Sequence, residues 1–454
     1  MVAKAHAPVA TVICTGSPPG ALQVPVAIIG GGACGLTAAL VLAGAGIDCV
    51  VLERDNAPAG STALSSGFVP APGSRAQMAR GISDSAAQFA ADIQAKAKGS
   101  AAPQLVQAYA QTIGPALDLL EEKHGLQFEL LEGFLYPGHS ALRMHAVPEK
   151  TGAGLMTRLQ RAVDTAGVPV LTDALVCELW VSEGGALTGV GYRRPDGSLE
   201  RLRCDVLLLA CNGFGGNPAL VRELLPEMRD AIFAGHTGND GSAITWGRAL
   251  GARLADLGGY QGHGSWVVPQ GILMSWAVMV EGGMQLNSMG QRFHDETQGY
   301  SEAAVAVLAQ PGGVAWNVFD ERLLALARSF PDFCVAEEAG ALHRADDRTA
   351  LAGLIGCAQA DLSPDLSRLS APYFAVRVTG ALFHTQGGLD VDAQCRVLRD
   401  NGQAFANLLA AGGAARGVSG NAVWGYLSGN GLLSAIAGGY IAAHTAQAIL
   451  ENRP

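Results

Sequence analysis

The residues whose spacing most directly suggests chemistry form a glycine turn, Gly30-Gly31-Gly32-Ala33-Cys34-Gly35. Its pattern is G-x-G-x-x-G, in which the glycines allow a tight turn and let the backbone approach a pyrophosphate. Glu53 ends the next apolar run, where a carboxylate can accept hydrogen bonds from a ribose diol. The pattern predicts a dinucleotide site; the alternative is a glycine-rich turn that serves packing only.

Three elements must position this turn. An apolar run at 24–29 (VPVAII) reads as a strand, LTAALVLAGAG reads as a helix, and 48–52 (DCVVL) reads as a second strand. The helix N-terminus would supply N–H donors and a favourable dipole to a phosphate. A βαβ unit is therefore predicted around the glycine turn.

The rest of the chain fits an α/β protein. Residues 76–165 have mainly helical patterns, and strands are predicted at 168–172, 174–181, 187–193, 199–203 and 205–209. A second glycine-rich turn follows at 210–217, and a strand at 407–411 precedes a long apolar helix from about Gly431. Residues 258–383 carry no second nucleotide fingerprint and read as mixed α+β.

The composition argues against several classes of protein. A net charge of −10 argues against nucleic acid and anionic membrane surfaces as partners. The nine cysteines form no C-x-x-C, which argues against a zinc ribbon, a c-type haem site or a thioredoxin-like pair. Their odd number and scattered positions predict reduced thiols and a cytoplasmic protein. No metal site is predicted.

Two long uncharged stretches and the N-terminus are candidate targeting or membrane segments. Stretches 22–47 and 417–450 contain glycines or polar residues, so we expect buried helices and no membrane span. Residues 1–21 are expected to be a flexible extension.

Several segments together resemble one family. They include the βαβ unit, GSTALSSG, LLLACNGFGGNP, EGGMQLNSMGQRFHDET, HTQGGLDVD and LLAAGGAARGV. They are similar to the FAD-dependent fumarate reductase/succinate dehydrogenase flavoprotein superfamily, which includes the 3-ketosteroid dehydrogenases. The resemblance implies a Rossmann-like FAD-binding domain (22–257 and 385–454) with an inserted α+β cap, or substrate, domain at 258–384, and an active site between them.

The resemblance also implies which residues hold FAD. Members with covalent flavin carry a histidine where this chain has Ser61-Thr62, so non-covalent FAD is expected. Gly413 departs from the family, because many members have an acidic residue there. The expected FAD-binding residues are Gly30, Gly32, Ala33, Cys34, Gly35, Glu53, Arg54, Ser61, Thr62, Ser66, Gly67, Val176, Asn212, Gly213, Asp240, Gly412, Gly413, Gly431 and Leu432.

Two tyrosines stand where the dicarboxylate-reducing members have arginines. Tyr300 takes the place of the proton-transfer arginine, and Tyr426 that of the carboxylate clamp, with a short insertion nearby. Tyrosine is neutral at pH 7 and donates to a carbonyl, whereas arginine is a permanent cation that fits a carboxylate. The resemblance to ketosteroid dehydrogenases implies that Tyr300 removes a proton, and that Tyr426 and the Asn430 backbone N–H polarise a ketone.

Other residues of the site are candidates for its walls. By the same resemblance, His263 and His384 fall where relatives place histidines against the substrate, and Tyr136 is a candidate further tyrosine. Each of these residues, Tyr300 and Tyr426 included, could instead simply pack in the core. Arg292 and Glu296 are read as a structural ion pair.

The leading hypothesis is an FAD-dependent dehydrogenase that introduces a C=C bond beside the carbonyl of a cyclic or steroid-like ketone. A proton would go to a tyrosine and a hydride to flavin N5, and an external electron acceptor, such as a quinone, would then take the electrons. Two alternatives remain open. One is a fumarate-reductase-like reductase of an enone or unsaturated carboxylic acid. The other is a flavin-binding redox protein without turnover.

Overall fold

The computed structural model describes residues 12–452. The first part of the chain contains β1 Val12–Thr15, β2 Leu22–Ile29, α1 Ala33–Gly44, β3 Cys49–Leu52, α2 Gly60–Leu64, β4 Val69–Pro70, α3 Arg75–Ala79, α4 Ala86–Lys96, α5 Pro103–His124, β5 Glu129–Leu130, β6 Met144–Ala146, α6 Gly152–Thr165, β7 Val170–Leu171, β8 Leu175–Val181, β9 Leu187–Arg193 and β10 Leu199–Leu209. The middle contains α7 Pro218–Leu224, β11 Ile232–Phe233, α8 Ser242–Leu250, β12 Leu254–Ala255, β13 Tyr260–Val267, β14 Ile272–Leu273, α9 Ala277–Val280, β15 Met284–Leu286, α10 Tyr300–Leu308, β16 Val314–Phe319, α11 Glu321–Ala327, α12 Pro331–Glu338, β17 Leu342–Ala345 and α13 Arg348–Ile355. The last part contains β18 Tyr373–Thr385, β19 Gly388–Leu389, β20 Arg396–Leu398, β21 Ala404–Ala410 and α14 Asn430–Glu451.

The chain divides into two compact units. Unit 1 comprises residues 1–220, 235–259 and 384–454, and unit 2 comprises 221–234 and 260–383. Both ends of the chain fall in unit 1, and the structure describes this unit from residue 12 to residue 452.

Unit 1 is built on a nine-stranded sheet. Its parallel part runs β21-β10-β2-β3-β7, and an antiparallel part, β8-β9-β10, extends it, with β1 parallel to β8 at the edge. Because helices cover both faces of a parallel sheet, its strands are near-continuous apolar runs. Accordingly, the last four residues of β2 and all of β3 are buried, with VAII and CVVL as their sequences. The predicted α/β class and βαβ unit are confirmed.

Helix α14 packs closely against α1 in this unit. A Cβ atom on Gly439 would lie 2.3 Å from the carbonyl oxygen of Cys34, so only glycine permits this approach. By length and composition α14 could cross a membrane, yet 56% of its most apolar window is buried inside the protein. A buried core helix of a folded domain meets the same length and composition criteria, and a buried helix is what the sequence predicts for 417–450.

Unit 2 is organised around β18. Strands β13 and β16 flank it, with β14 and β15 outside them, and β11 and β17 also pair with it. Helix α10 lies against β13, where Cβ atoms on Gly262 and Gly264 would come within 2.8 and 2.6 Å of the methyl groups of Ala304 and Ala303.

The structure corrects two boundaries. Residues 12–15 of the predicted flexible extension form β1, because their backbone pairs with the open edge of β8 from Val12–Glu178 to Thr15–Val181. The preceding residues, 1–11, lie outside the described part of the chain. Residues 221–234, expected in the FAD-binding domain, belong to unit 2, because Ile232 and Phe233 pair with β18.

All nine cysteines are free thiols. That is compatible with the reduced compartment expected from their spacing, and the cytoplasmic location stays a prediction.

The α1–α14 contact gives a stability prediction. We expect Gly439→Ala to lower the free energy of unfolding by about 1–3 kcal/mol, since its Cβ forces the two helices apart. Gly44→Ala in α1 is the matched control, because a Cβ there meets nothing within 4 Å. Denaturant unfolding measures both; equal stability of the two variants would contradict the close contact.

Candidate active site

The glycine turn is held by backbone contacts at both ends. Gly30 has φ +110°, and a Cβ atom there would lie 2.4 Å from the carbonyl oxygen of Ala210 at the end of β10. A Cβ on Gly35 would lie 2.0 Å from the carbonyl oxygen of Gly30. These two glycines therefore allow the turn between β2 and α1 to pack directly against backbone atoms of the protein.

Gly32 differs, because its missing side chain faces open space. Among residues 12–452, beyond the adjoining backbone, the Thr62 hydroxyl at 3.6 Å is the one atom within 4 Å of a Cβ there. The same hydroxyl accepts the N–H of Ala33 at 3.1 Å, in the first turn of α1. A cradle at a helix N-terminus that a Cβ atom would fill fits a phosphate group, because the helix dipole and the N–H groups of the first turn favour an anion.

Glu53 lies beside the same turn and is 7% exposed. One carboxylate oxygen accepts the Gly31 N–H at 2.8 Å, and the other accepts the Asp55 N–H at 3.0 Å. Burial raises the pKa of Glu53, and the two N–H donors oppose that shift. Each oxygen keeps a lone pair for a further donor, so the residue fits the role predicted for it toward a ribose diol.

A second set of predicted cofactor residues is held together by polar contacts. The Ser61 hydroxyl accepts side-chain N–H groups from Asn212 and Asn239, each at 2.9 Å. A Cβ on Gly413 would lie 2.1 Å from Oδ1 of Asn212. Asn212 thus occupies the space that a side chain at position 413 would need, so this position requires glycine in this chain.

The remaining predicted cofactor residues lie at several places in unit 1. Arg54 donates to Asp240 at 3.2 Å, which brings those two together. A Cβ on Gly412 would lie 3.3 Å from Cβ of Cys34. Ser66 is exposed after α2, and a Cβ on Gly67 would overlap the Thr151 carbonyl. The N–H of Gly213 donates to the Asn212 side chain. The others are Val176 in β8, and Gly431 and Leu432 in the first turn of α14.

Tyr426, His384 and the first turn of α14 converge in unit 1. The Tyr426 and His384 rings meet edge to face, with centroids 5.4 Å apart. A Cβ on Gly431 would lie 3.0 Å from Nε2 of His384 and 3.8 Å from the Tyr426 hydroxyl. The lack of a side chain at Gly431 therefore lets the His384 ring and the Tyr426 hydroxyl, two potential hydrogen-bond donors, pack against the first turn of α14.

Burial keeps both side chains neutral. It raises the pKa of Tyr426 above its usual value, although the N–H groups of Gly431 and Gly429 act in the opposite direction. Burial also lowers the pKa of His384 to about 4. At neutral pH this part of the site therefore offers a phenol and an uncharged imidazole.

The Asn430 backbone N–H does not have the predicted role. It donates to the Leu427 carbonyl at 3.0 Å, which closes the turn before α14. That N–H is therefore directed into the turn, and the assignment to Asn430 is wrong. The N–H groups that influence the Tyr426 hydroxyl belong to Gly431 and Gly429.

The other predicted catalytic residues lie in unit 2. Tyr300 begins α10, and its ring stacks on His263 with centroids 4.9 Å apart and an interplanar angle of 16°. His263 also contacts the rings of Trp276 and Phe383. Burial lowers the pKa of His263 to about 3, and its Nδ1 accepts the Ser265 N–H, so this imidazole is neutral.

The two arginines nearest in sequence to these tyrosines are already committed to carboxylates. Arg292 pairs with Glu296 and, at 3.1 Å, with Asp365 in unit 2, which confirms the predicted ion pair. In unit 1, Arg416 pairs with Asp256 at 2.7 Å and Asp390 at 3.1 Å. Neither guanidinium is a free cation for a substrate carboxylate.

Tyr136 is not brought into ring contact with the Tyr426 pair. Its ring partners are Phe134, at 5.0 Å, and Phe68, at 6.4 Å. Burial raises the pKa of Tyr136 to about 12. Its loop does approach the Tyr426 loop, because a Cβ on Gly138 would overlap the Leu427 side chain.

Sequence reasoning missed a buried cluster that supports the Tyr426 loop. Arg143, 1% exposed, donates to Asp84, Asp92 and Nδ1 of His139. Nε2 of His139 lies 3.0 Å from the Ser428 carbonyl. With Nδ1 accepting, His139 carries its proton on Nε2 and donates to that carbonyl. The available signal was an arginine between apolar residues, Leu142 and Met144, with histidines close by at 139 and 145.

Comparison with known proteins identifies the class. Residues 25–432 match the FAD binding domain family, and the chain belongs to it. The chain is 24% identical over 453 residues to "Probable fumarate reductase Ifc3" of Shewanella frigidimarina, covering 93% of this chain and 74% of that protein.

Two solved structures share the fold. The open conformation of a flavocytochrome c3 fumarate reductase has a TM-score of 0.82 and 23% identity, covering 95% of this chain and 79% of that one. The 3-ketosteroid Δ1-dehydrogenase of Sterolibacterium denitrificans has a TM-score of 0.78 and 19% identity, covering 94% and 100%. The protein is a flavoprotein that binds FAD, and an oxidoreductase of the class that acts on CH–CH and C=C bonds.

The open space at Gly32 gives a prediction about FAD. Gly32 has extended backbone angles (φ −79°, ψ −174°) that any residue adopts, so Gly32→Val should fold. Its side chain would fill the phosphate cradle, and the purified variant should be colourless, with at least a tenfold loss of bound FAD. Flavin absorbance after acid precipitation measures the content, with Gly44→Ala as control. If the Gly32→Val protein keeps its flavin and is yellow, the pyrophosphate does not bind at this cradle.

Proposed function

We propose that this flavoprotein is a dehydrogenase that introduces a C=C bond next to the carbonyl of a cyclic or steroid-like ketone. The observation that carries the proposal is the uncharged donor pair, Tyr426 and His384, at the first turn of α14. The commitment of Arg416 to Asp256 and Asp390 supports it, because a dicarboxylate needs a free cation.

In this proposal Tyr426 acts on the carbonyl. Its O–H, with Nε2 of His384 beside it, donates to the ketone oxygen and stabilises the negative charge that develops there. Because the carbonyl acidifies the neighbouring C–H bond, a positioned base can remove that proton. Tyr300 is the proposed base, as the resemblance implies, and His263 is stacked against its ring.

FAD, bound non-covalently, supplies the hydride acceptor. The chain's contribution is to hold that cofactor at the glycine turn through Glu53, Thr62 and the first turn of α1. The Ser61 and Thr62 hydroxyls are hydrogen-bonded to Asn212, Asn239 and Ala33, and neither side chain is one that carries covalent flavin in relatives. An external electron acceptor, such as a quinone, would complete the cycle.

A second candidate is a reductase of an enone or unsaturated acid. Similarity to the Shewanella frigidimarina protein favours it, because that protein is named as a fumarate reductase. The same donor pair would then bind the carbonyl of the acceptor. A non-catalytic flavoprotein is the third candidate, and the close pairing of two neutral donors, Tyr426 and His384, argues against it.

We predict that cyclic ketones reduce the flavin and that fumarate does not reoxidise it efficiently. Anaerobic stopped-flow mixing would follow loss of the oxidised-flavin absorbance with a ketone panel, and its return when reduced enzyme meets fumarate or an enone. Bleaching by a saturated ketone supports the dehydrogenase. Rapid, saturable reoxidation by fumarate would overturn the ketone proposal. No change of flavin absorbance in either mixing experiment would favour the non-catalytic protein.

The tyrosines give a further prediction. Tyr300→Phe should slow ketone-dependent flavin reduction by about 10²-fold or more, because a positioned base is lost. Its pH profile should also lose one ionisation. Tyr440→Phe, which alters a tyrosine of α14 whose ring contacts His444, is the control. A Tyr300→Phe enzyme with less than threefold loss and an unchanged pH profile would remove Tyr300 from catalysis without affecting FAD binding.

A further inference from the structure

A chain of buried polar side chains leads from His384 into the first turn of α14, all within unit 1. Nδ1 of His384 lies 3.1 Å from Nε2 of Gln386, whose Oε1 accepts the Ser419 hydroxyl at 2.9 Å. The Ser419 oxygen in turn accepts an amide N–H of Asn430 at 3.0 Å. Gln386, Ser419 and Asn430 are 4%, 1% and 0% exposed, so each polar group depends on its protein partners.

The direction of this chain decides which nitrogen of His384 carries the proton. Oδ1 of Asn430 is buried without a partner, and Ser419 is the neighbour that its amide contacts. If the Asn430 amide were reversed, both of its N–H groups would be left unpaired, and buried unpaired N–H groups are rarer than unpaired carbonyls. With Asn430 donating, the Ser419 O–H must donate to Gln386, and the Gln386 amide must donate to His384.

We propose that Gln386, held by Ser419 and Asn430, is a positioning residue that keeps His384 in the Nε2–H tautomer, so that its imidazole donates a hydrogen bond to the ketone oxygen beside Tyr426. Because Nδ1 accepts from Gln386, the proton of the neutral ring lies on Nε2. Nε2 is the ring atom that faces Gly431 and the Tyr426 hydroxyl, because a Cβ atom on Gly431 would lie 3.0 Å from Nε2 and 3.8 Å from that hydroxyl. The tautomer itself is a property of unit 1 alone; its use on a ketone rests on the proposed function.

The second acceptor near Nδ1 does not replace this arrangement. The Thr385 carbonyl lies 3.4 Å from Nδ1, farther than the Gln386 amide, and it belongs to the adjacent residue of the chain. If Nδ1 carried the proton and donated there, that N–H would face the N–H groups of Gln386. Two donors pointing at each other are unfavourable in a buried site.

Gln386→Glu reverses the hydrogen bond with little change in shape. A carboxylate still accepts from Ser419, but it can only accept from His384, so the proton should move from Nε2 to Nδ1. The nearby negative charge should also raise the pKa of His384 above about 4. Ketone-dependent flavin reduction should slow at least tenfold, because a donor to the developing oxyanion is lost.

The experiment reads the tautomer directly. FAD-loaded wild-type protein labelled with ¹⁵N-histidine is examined by NMR without substrate, and the His384 signal is assigned by its absence in His384→Asn. We expect Nε2–H in the wild type and Nδ1–H in Gln386→Glu. The control is Gln107→Glu, the same substitution at an exposed position of α5.

A second variant guards against misfolding of Gln386→Glu. Ser419→Ala adds no charge and removes the hydroxyl that orients Gln386, so both tautomers of His384 should appear in its spectrum. Wild-type protein with Nδ1–H, or a tautomer unchanged in both variants, would overturn the proposal. If the tautomers behave as expected but no ketone reduces the flavin, the assignment of Gln386 is supported and the proposed function fails.

Discussion

The arrangement of unit 1 depends on one backbone contact, between α14 and α1. Gly439 lets α14 approach the Cys34 carbonyl, and Cys34 stands in the first turn of α1, beside the phosphate cradle. Nine residues earlier α14 begins at Asn430, next to Tyr426 and His384. Because a helix rises about 1.5 Å per residue, this contact sets the distance between the FAD turn and the donor pair at roughly 14 Å along the helix. One rigid element therefore positions both halves of the chemistry in this unit.

A second constraint on the chemistry is that the arginines and histidines nearest to the two tyrosines are paired or uncharged. Arg292 and Arg416 each bridge two carboxylates, and such pairs consume the fork geometry that would otherwise bind a substrate carboxylate. His263 and His384 are kept uncharged by burial. The imidazoles in ring contact with Tyr300 and Tyr426 are therefore neutral dipoles. Dipoles suit a substrate whose charge appears only in the transition state, as the proposed function requires.

Much of the fold could be predicted from short-range patterns. The G-x-G-x-x-G turn, the apolar strands and the long last helix each have a local signature, and the structure confirms them. The role of Asn430 could not be predicted from spacing, since its N–H direction depends on the turn closed by Leu427. Strand β1 was missed although Val12, Ile13 and Thr15 favour a strand, because four residues cannot form one alone and their partner, β8, lies far away in the sequence. Long-range polar contacts, such as Arg416 with Asp256, are likewise invisible before the chain folds.

The loop that carries Tyr426 is held from two directions by buried polar groups. On one side, His139 donates to the Ser428 carbonyl and is itself oriented by Arg143. On the other, Asn430 is tied through Ser419 to Gln386. Buried polar networks cost free energy unless every member is paired, and they rigidify the groups that they satisfy. A donor that must meet a developing oxyanion benefits from such rigidity, because misplacement by about 1 Å costs about 10²-fold in rate. The two networks therefore fix both ends of the loop that carries Tyr426, which is what the proposed role of Tyr426 as a donor requires.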